Sequence, residues 1–250
     1  MKLENIKDYH KTSYFYDYLK SLCEKRPELK VHKIGEADDM SILTILLEAE
    51  EAKKTLVIIG GIHGDEPAGP YGIAAWLRRG RYPSDINVMC VPLLNPTGFD
   101  NKTRENAGGR DLNRGLNKKI KPAKELQVLL KSLAEESIDF VLTLHEDGEH
   151  KGVYLYSSSK DLKPLCKDIL IAASQHIPIN TNDKIFGDNA ENGMIFDDSS
   201  KPKHIHSIEY YVEQKGIDCI TFETPQNVDL QVRIKAQVET IGAVIQHLQN

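Results

Sequence analysis

Thr55-Leu56-Val57-Ile58-Ile59-Gly60-Gly61-Ile62-His63-Gly64-Asp65-Glu66 is the stretch around which the whole chain is read. Its first five residues are apolar or β-branched, the composition of a strand buried on both faces. Two glycines then permit a sharp bend. Pro67-Ala68-Gly69-Pro70 and Ile73-Ala74-Ala75-Trp76-Leu77 read as a helix. Proline is tolerated in a first helical turn, where its missing N–H had no partner. His63 and Glu66 therefore sit where a strand ends and a helix begins, the place where open α/β sheets hold their ligands. An imidazole and a carboxylate on one tight turn can converge on a single cation, and Zn²⁺ accepts both ligand types. His-x-x-Glu is a common pattern by itself. It gains meaning only if the rest of the chain supplies a third ligand, a base and charged partners.

Two further apolar runs end in such residues. Asp139-Phe140-Val141-Leu142-Thr143-Leu144 leads into His145, and Ile217-Asp218-Cys219-Ile220-Thr221-Phe222 leads into Glu223. If the central strands are parallel, these ends gather at one edge of the sheet. His63, Glu66 and His145 then make a set of three ligands with a fourth position left for water. Glu223 reads as a general base that takes a proton from that water and passes it to a leaving nitrogen. Residues 95–121 show no clear periodicity, and long loops of this kind are often functional. This one carries Arg104, Arg110 and Arg114, whose planar forks suit a carboxylate or a polarised carbonyl oxygen.

The remainder alternates strand and helix. Asp8 to Glu24 reads as an amphipathic helix with Tyr14, Phe15, Tyr18, Leu19 and Leu22 on its buried side. Val31 to Gly35 and Ser41 to Glu48 read as strands joined at Asp38-Asp39, and Ile86 to Leu94 as a buried strand. Helices are expected over Pro122 to Leu133, over Asp161 to Ser174 with Asp161 as cap, over His204 to Gln214 and over Val228 to Leu248. Val153 to Tyr156 reads as a strand, and Ile177 to Ser200 carries no assignable pattern. No repeat or linker interrupts the alternation, so residues 1–250 are expected to form one α/β domain with a parallel or mixed sheet.

Composition narrows the function. The chain has 250 residues, 40% hydrophobic and 28% charged, with a formal net charge of -5. Nucleic-acid binders show a basic excess, and none is present; Lys118 to Lys124 reads as a solvated loop. No apolar run is long enough to span a bilayer, and the first residues carry no apolar core of a secretory signal. Cys23, Cys90, Cys166 and Cys219 are far apart and form no metal-binding spacing, as expected of free thiols in a cytoplasmic protein. The sequence carries no signature of an oligomeric state.

His-Gly-Asp-Glu at 63–66, Asn-Pro-Thr-Gly at 95–98, Arg104, Asp-Leu-Asn-Arg at 111–114, Leu-His at 144–145 and Ile-Thr-Phe-Glu at 220–223 stand in a specific order. In this the chain resembles the zinc carboxypeptidases of the M14 type. It is most similar to their short bacterial branch, which includes murein-peptide amidases and grades into the succinylglutamate desuccinylases and aspartoacylases. The resemblance implies an α/β/α sandwich around a mixed, mostly eight-stranded sheet. It implies one zinc held by His63, Glu66 and His145, with Glu223 as base and acid and Arg104 stabilising the oxyanion. Asn113 and Arg114 would hold the substrate's terminal carboxylate, and Asp111 would bond the free ring nitrogen of His63. The implied substrate is a small peptide or an acylated amino acid.

Departures from the family pattern bear on specificity. Asp65 stands where digestive-type members carry Arg, and Asp-Leu-Asn-Arg continues as Gly115-Leu116. Tyr210 and Tyr211 lie too close to Glu223 to match the tyrosine that caps the substrate, and read as helix surface. Glu146-Asp147-Gly148-Glu149 reads either as an acidic loop in water or as an attractor for a substrate amine. His150, His204 and His206 are not needed once three ligands are in place. An N-acyl amino acid deacylase and a zinc-stabilised binding module without turnover are the competing readings.

Overall fold

The computed structural model describes residues 8–116, 121–196 and 206–250. Its main sheet has eight strands in the order β1-β2-β4-β3-β5-β10-β6-β9. The central four, β4 (Ile86–Val91), β3 (Lys54–Gly60), β5 (Phe140–Asp147) and β10 (Asp218–Pro225), run parallel. On one side β2 (Met40–Leu47) and β1 (Lys30–Ala37) add antiparallel. On the other, β6 (Tyr154–Ser157) adds antiparallel and carries β9 (Met194–Phe196) parallel to it. A separate short hairpin joins β7 (Lys184–Ile185) to β8 (Asp188–Asn189).

The central strands alternate between two cores, as the period of two requires. Leu56, Ile58, Leu142, Leu144, Ile220 and Phe222 pack under α1 (Thr12–Cys23), α2 (Ala68–Arg79), α5 (Lys163–Ser174) and α7 (Leu230–Leu248). Val57, Ile59, Val141 and Cys219 pack on the opposite face with α4 (Lys124–Ala134) and α6 (Ile208–Glu213). This is the α/β sandwich around a mixed eight-stranded sheet.

Several local expectations need correction. Tyr14 is 44% exposed, because α1 begins at Thr12 and its buried stripe runs through Phe15, Tyr18, Leu19 and Leu22. Residues 95–121 contain a short helix, α3 (Pro96–Asn101), started by the Asn95 side chain accepting from Gly98 N at 2.9 Å, and a 3₁₀ turn over Leu112–Arg114. Ser159, not Asp161, caps the segment before α5; its hydroxyl accepts from Asp161 N at 3.1 Å. Residues 177–196 form three short strands. Residues 118–120 of the basic stretch 118–124, and His204, lie outside the described residues. Among those residues no helix is long and apolar enough to cross a membrane.

Candidate metal centre and cleft

The chain runs on from β3 to β4 on one side and from its other neighbour β5 to β6 on the other, so a crevice opens between the carboxyl ends of β3 and β5. Gly61 turns out of β3 with φ +59°, which L side chains resist. Gly64 lies against α3 so closely that a Cβ there would stand 1.9 Å from the Gly98 carbonyl carbon. Gly64→Ala is therefore expected to destabilise the protein by about 3 kcal/mol or more and to weaken metal binding, read by chemical denaturation beside metal content.

Three ligand atoms converge at this point. His63 Nδ1 lies 2.6 Å from Glu66 Oε1, His145 Nδ1 lies 2.9 Å from Glu66 Oε2, and the two Nδ1 atoms are 3.2 Å apart. All three side chains are buried. Two imidazole nitrogens facing each other beside one carboxylate are a poor hydrogen-bonded arrangement. They are a good cage: bonds of about 2.0 Å at tetrahedral angles put ligand atoms about 3.3 Å apart. The donor set thus fits a zinc ion, and it is the only such cluster among the described residues. His150 stands apart from it, bonding Asp147 Oδ2 at 2.8 Å.

The outer ring nitrogens face carboxylates. His63 Nε2 lies 3.3 Å from Asp111 Oδ1, where the family resemblance places it. His145 Nε2 lies 3.7 Å from Glu209 Oε1. The sequence reading missed Glu209. It stands in the first turn of a six-residue helix that no periodicity singles out, and its position depends on a distant loop. Ile208 N donates to Asn113 Oδ1 at 3.1 Å and Leu116 N to the His206 carbonyl at 3.0 Å, stitching α6 to the Asp-Leu-Asn-Arg turn. The Thr143 hydroxyl donates to Glu209 Oε1 at 2.9 Å and fixes it further.

Charge at the centre is strongly coupled. Burial alone would raise Glu66, but the two imidazoles pull it down to about 2. Burial likewise opposes the ionised forms of Asp111 and Glu209, yet both carboxyls fall below their usual range, Asp111 through His63 and Arg104 and Glu209, to about 2, through His145. Burial would discharge His145, but Glu66 and Glu209 outweigh it and raise its pKa well above normal. Glu223 is pushed up to about 8, chiefly by burial and further by Glu66 and Asp147, with His145 opposing. Its Oε2 is shielded from solvent and has no hydrogen-bond partner among the described residues. Glu223 stands opposite His145 in the β10–β5 ladder, so strand register puts it at the level of the cage.

The cage opens into a cleft of about 620 Å³ that also receives Arg104, Asn113, Arg114, Tyr210 and Glu223. Arg104 Nε donates to Asp111 Oδ2 at 2.9 Å, and its Nη1 lies 3.3 Å from His63 Nδ1. Asn113 has its carbonyl oxygen engaged by Ile208 N, which leaves its amide NH₂ for the cleft. Arg114 is exposed at the mouth, its Nη1 resting on the Asn113 carbonyl at 2.7 Å. Arg110 turns away and donates to the Lys121 carbonyl. Tyr210 lines the cleft, whereas Tyr211 packs against the core under α4 and α6.

Of the acidic stretch after His145, Glu146 and Asp147 are buried at the end of β5, and only Gly148 and Glu149 are exposed. Glu146 is buried, accepts from Ala68 N at 2.6 Å and pairs with Arg233, while Glu66 Oε2 accepts from Glu146 N at 3.1 Å. Gln237 of α7 donates to the His145 carbonyl at 3.0 Å. The strand that delivers His145 is thereby bonded to α2 and α7 together.

A mixed sheet with a His/Glu/His cage at its strand ends defines a fold of the zinc carboxypeptidase class. Within that class, the chain belongs to the succinylglutamate desuccinylase/aspartoacylase family, whose catalytic domain matches residues 52–246. Two Shewanella proteins assigned to the metallopeptidases have the same fold. The S. amazonensis protein has a TM-score of 0.82 at 26% identity, covering 96% of this chain and 94% of that one. The S. denitrificans protein has a TM-score of 0.82 at 28% identity, covering 96% and 91%. A Burkholderia cenocepacia metallo-carboxypeptidase, at 16% identity, shares the fold with a TM-score of 0.74 over 95% of this chain and 69% of that one. No curated protein matches the chain.

Proposed function

We propose that this chain is a zinc-dependent hydrolase that cleaves an amide bond next to a free carboxylate, most directly a C-terminal peptide bond. The observation that carries the reading is the convergence of His63, Glu66 and His145 near Glu223, whose Oε2 is shielded from solvent and has no hydrogen-bond partner among the described residues. Zinc, when bound, supplies Lewis acidity and lowers the pKa of water. Glu223 is the proton acceptor and returns the proton to the leaving nitrogen. Arg104 stabilises the negative oxygen of the tetrahedral species. Arg114 and the Asn113 amide hold the substrate's carboxylate. Asp111 and Glu209 hold the rings of His63 and His145 with Nδ1 facing inwards.

The family match favours a second reading, hydrolysis of an N-acyl amino acid. Charge separates the two. Among the described residues, eight carboxyl groups and two guanidinium groups line the cleft. A divalent metal and the Arg233 partner of Glu146 leave an excess of negative charge, so a dicarboxylic amino acid would meet like charge. A neutral or cationic residue on the amine side suits the cleft better, whether its acyl group is a peptide or a simple acid.

Parallel assays of short peptides and N-acyl amino acids, each with its carboxamide counterpart, test the proposal. Zinc-loaded protein is expected to hydrolyse the free acids and to neglect the amides. Arg114→Ala is expected to lower kcat/KM about ten- to a hundredfold on the acids, mainly through KM. Equal rates on acid and amide would overturn the carboxylate assignment.

A further inference from the structure

The hairpin over the cleft carries a residue whose side chain is unsuited to its backbone. β7 and β8 are joined by Phe186 and Gly187, with φ of +48° and +83°. Such two-residue turns favour Asn, Asp or Gly at both positions. A bulky aromatic at positive φ is strained, and strain of this kind clusters at ligand-binding positions. Phe186 gains no compensating burial: it is 48% exposed and lines the cleft.

The ring has a defined partner. It stands edge-on to His150 with centroids 4.5 Å apart. His150 Nδ1 bonds Asp147 Oδ2 at 2.8 Å, and the same oxygen accepts from the Tyr154 hydroxyl at 2.9 Å. Tyr154 lies opposite Glu223 in the β6–β10 ladder. Direct contacts thus run from the hairpin tip to the wall that carries the proposed base.

We propose that Phe186 selects the acyl half of the substrate, forming an aromatic wall for an apolar or aromatic group on the carbonyl side of the scissile bond. The proposal rests on the hydrolase reading. Contacts carry the assignment: Asn113, beside Arg114, is bonded to Ile208 of α6, whereas Phe186 stands on His150 beyond the end of β5, next to Tyr154 of β6. A substrate whose carboxylate is held at Arg114 and whose scissile bond lies at the cage reaches Phe186 with its acyl end.

The test compares wild type, Phe186→Asn and Phe186→Leu, all zinc-loaded. The probes are N-benzoyl and N-acetyl derivatives of the same amino acid. Calorimetry reads binding, assays read kcat/KM, and thermal melts read stability. The expected result is a preference for benzoyl in the wild type that falls about tenfold in Phe186→Asn, through KM, and is largely kept in Phe186→Leu. The Tm of Phe186→Asn is expected to be unchanged or raised, since asparagine accepts the turn. A benzoyl preference absent from the wild type, or unaltered in Phe186→Asn, overturns the proposal. So does an equal loss on both probes with a lowered Tm, which marks a purely structural ring. A Phe186-dependent benzoyl preference in binding without any hydrolysis supports the subsite and overturns the hydrolase reading instead.

Discussion

Glu223→Gln is expected to keep its zinc and to lose about a thousandfold in kcat. Glutamine has nearly the shape of glutamate, so the β10–β5 register that sets Glu223 opposite His145 is undisturbed. What disappears is an acceptor for the proton. The size of the loss follows from the surroundings of this carboxylate. Burial raises it to about 8 in the metal-free protein, a range in which a group can both take and return a proton near neutral pH. KM is expected to change little, because the proposed mechanism gives the hold on the substrate to Arg114 and Asn113 and not to Glu223. Metal analysis beside steady-state kinetics checks both halves. Activity retained with full zinc would rule out Glu223 as the base. A binding module without turnover predicts no hydrolysis in either protein.

Much of this centre is legible in the sequence, for a physical reason. A buried parallel strand is a continuous apolar run, and its end is marked by the first polar side chain that points into the crevice. His63, His145 and Glu223 each follow such a run, so their gathering at one edge needs only the sheet to be parallel there. Asp111 and Arg104 are less visible; in a loop without period Arg104 is one of three candidate arginines, and only the order of the family motifs singles it out and points to Asp111. Glu209 and Phe186 were not visible at all. Glu209 reaches His145 because Asn113, nearly a hundred positions earlier, accepts from the backbone of α6. Phe186 is notable only once its φ is known. The acidic residues after His145 misled in another way. Glu146 looks solvated in sequence, yet it is buried against the start of α2 and Arg233. Local composition cannot report a partner that arrives from the last helix.

The same geometry makes the metal-free protein sensitive to pH in a predictable direction. Glu223 and His145 both have raised pKa values in the folded state. Each contributes stability that is complete below its unfolded pKa and lost as pH rises through the folded one. For Glu223 the loss runs from about 4.5, its ordinary value, to about 8; for His145 it begins above 6.5. Glu66, Asp111 and Glu209 are depressed, so their contribution is complete above their ordinary values and lost as pH falls below about 4. Metal-free protein is therefore expected to be most stable near pH 5. Above that its unfolding free energy should fall, each group that sheds its extra proton adding a slope of up to about 1.4 kcal/mol per pH unit. Zinc takes the place of the His145 proton and favours the ionised form of the neighbouring Glu223 carboxyl, so binding should release more than one proton from this site near pH 7 and tighten as pH rises. Bound metal stabilises the native state by mass action, about 4 kcal/mol at a thousandfold excess over Kd. The gap in Tm between zinc-loaded and metal-free protein should therefore widen from pH 5 to pH 8. Melts across that range, with calorimetry in buffers of different ionisation enthalpy, measure both quantities. In Glu223→Gln the alkaline slope of the metal-free protein should shrink and the proton release should fall to the share that belongs to His145. A flat alkaline limb in the wild type would show that the centre does not hold these protons, and the charge arrangement proposed for catalysis would fall with it.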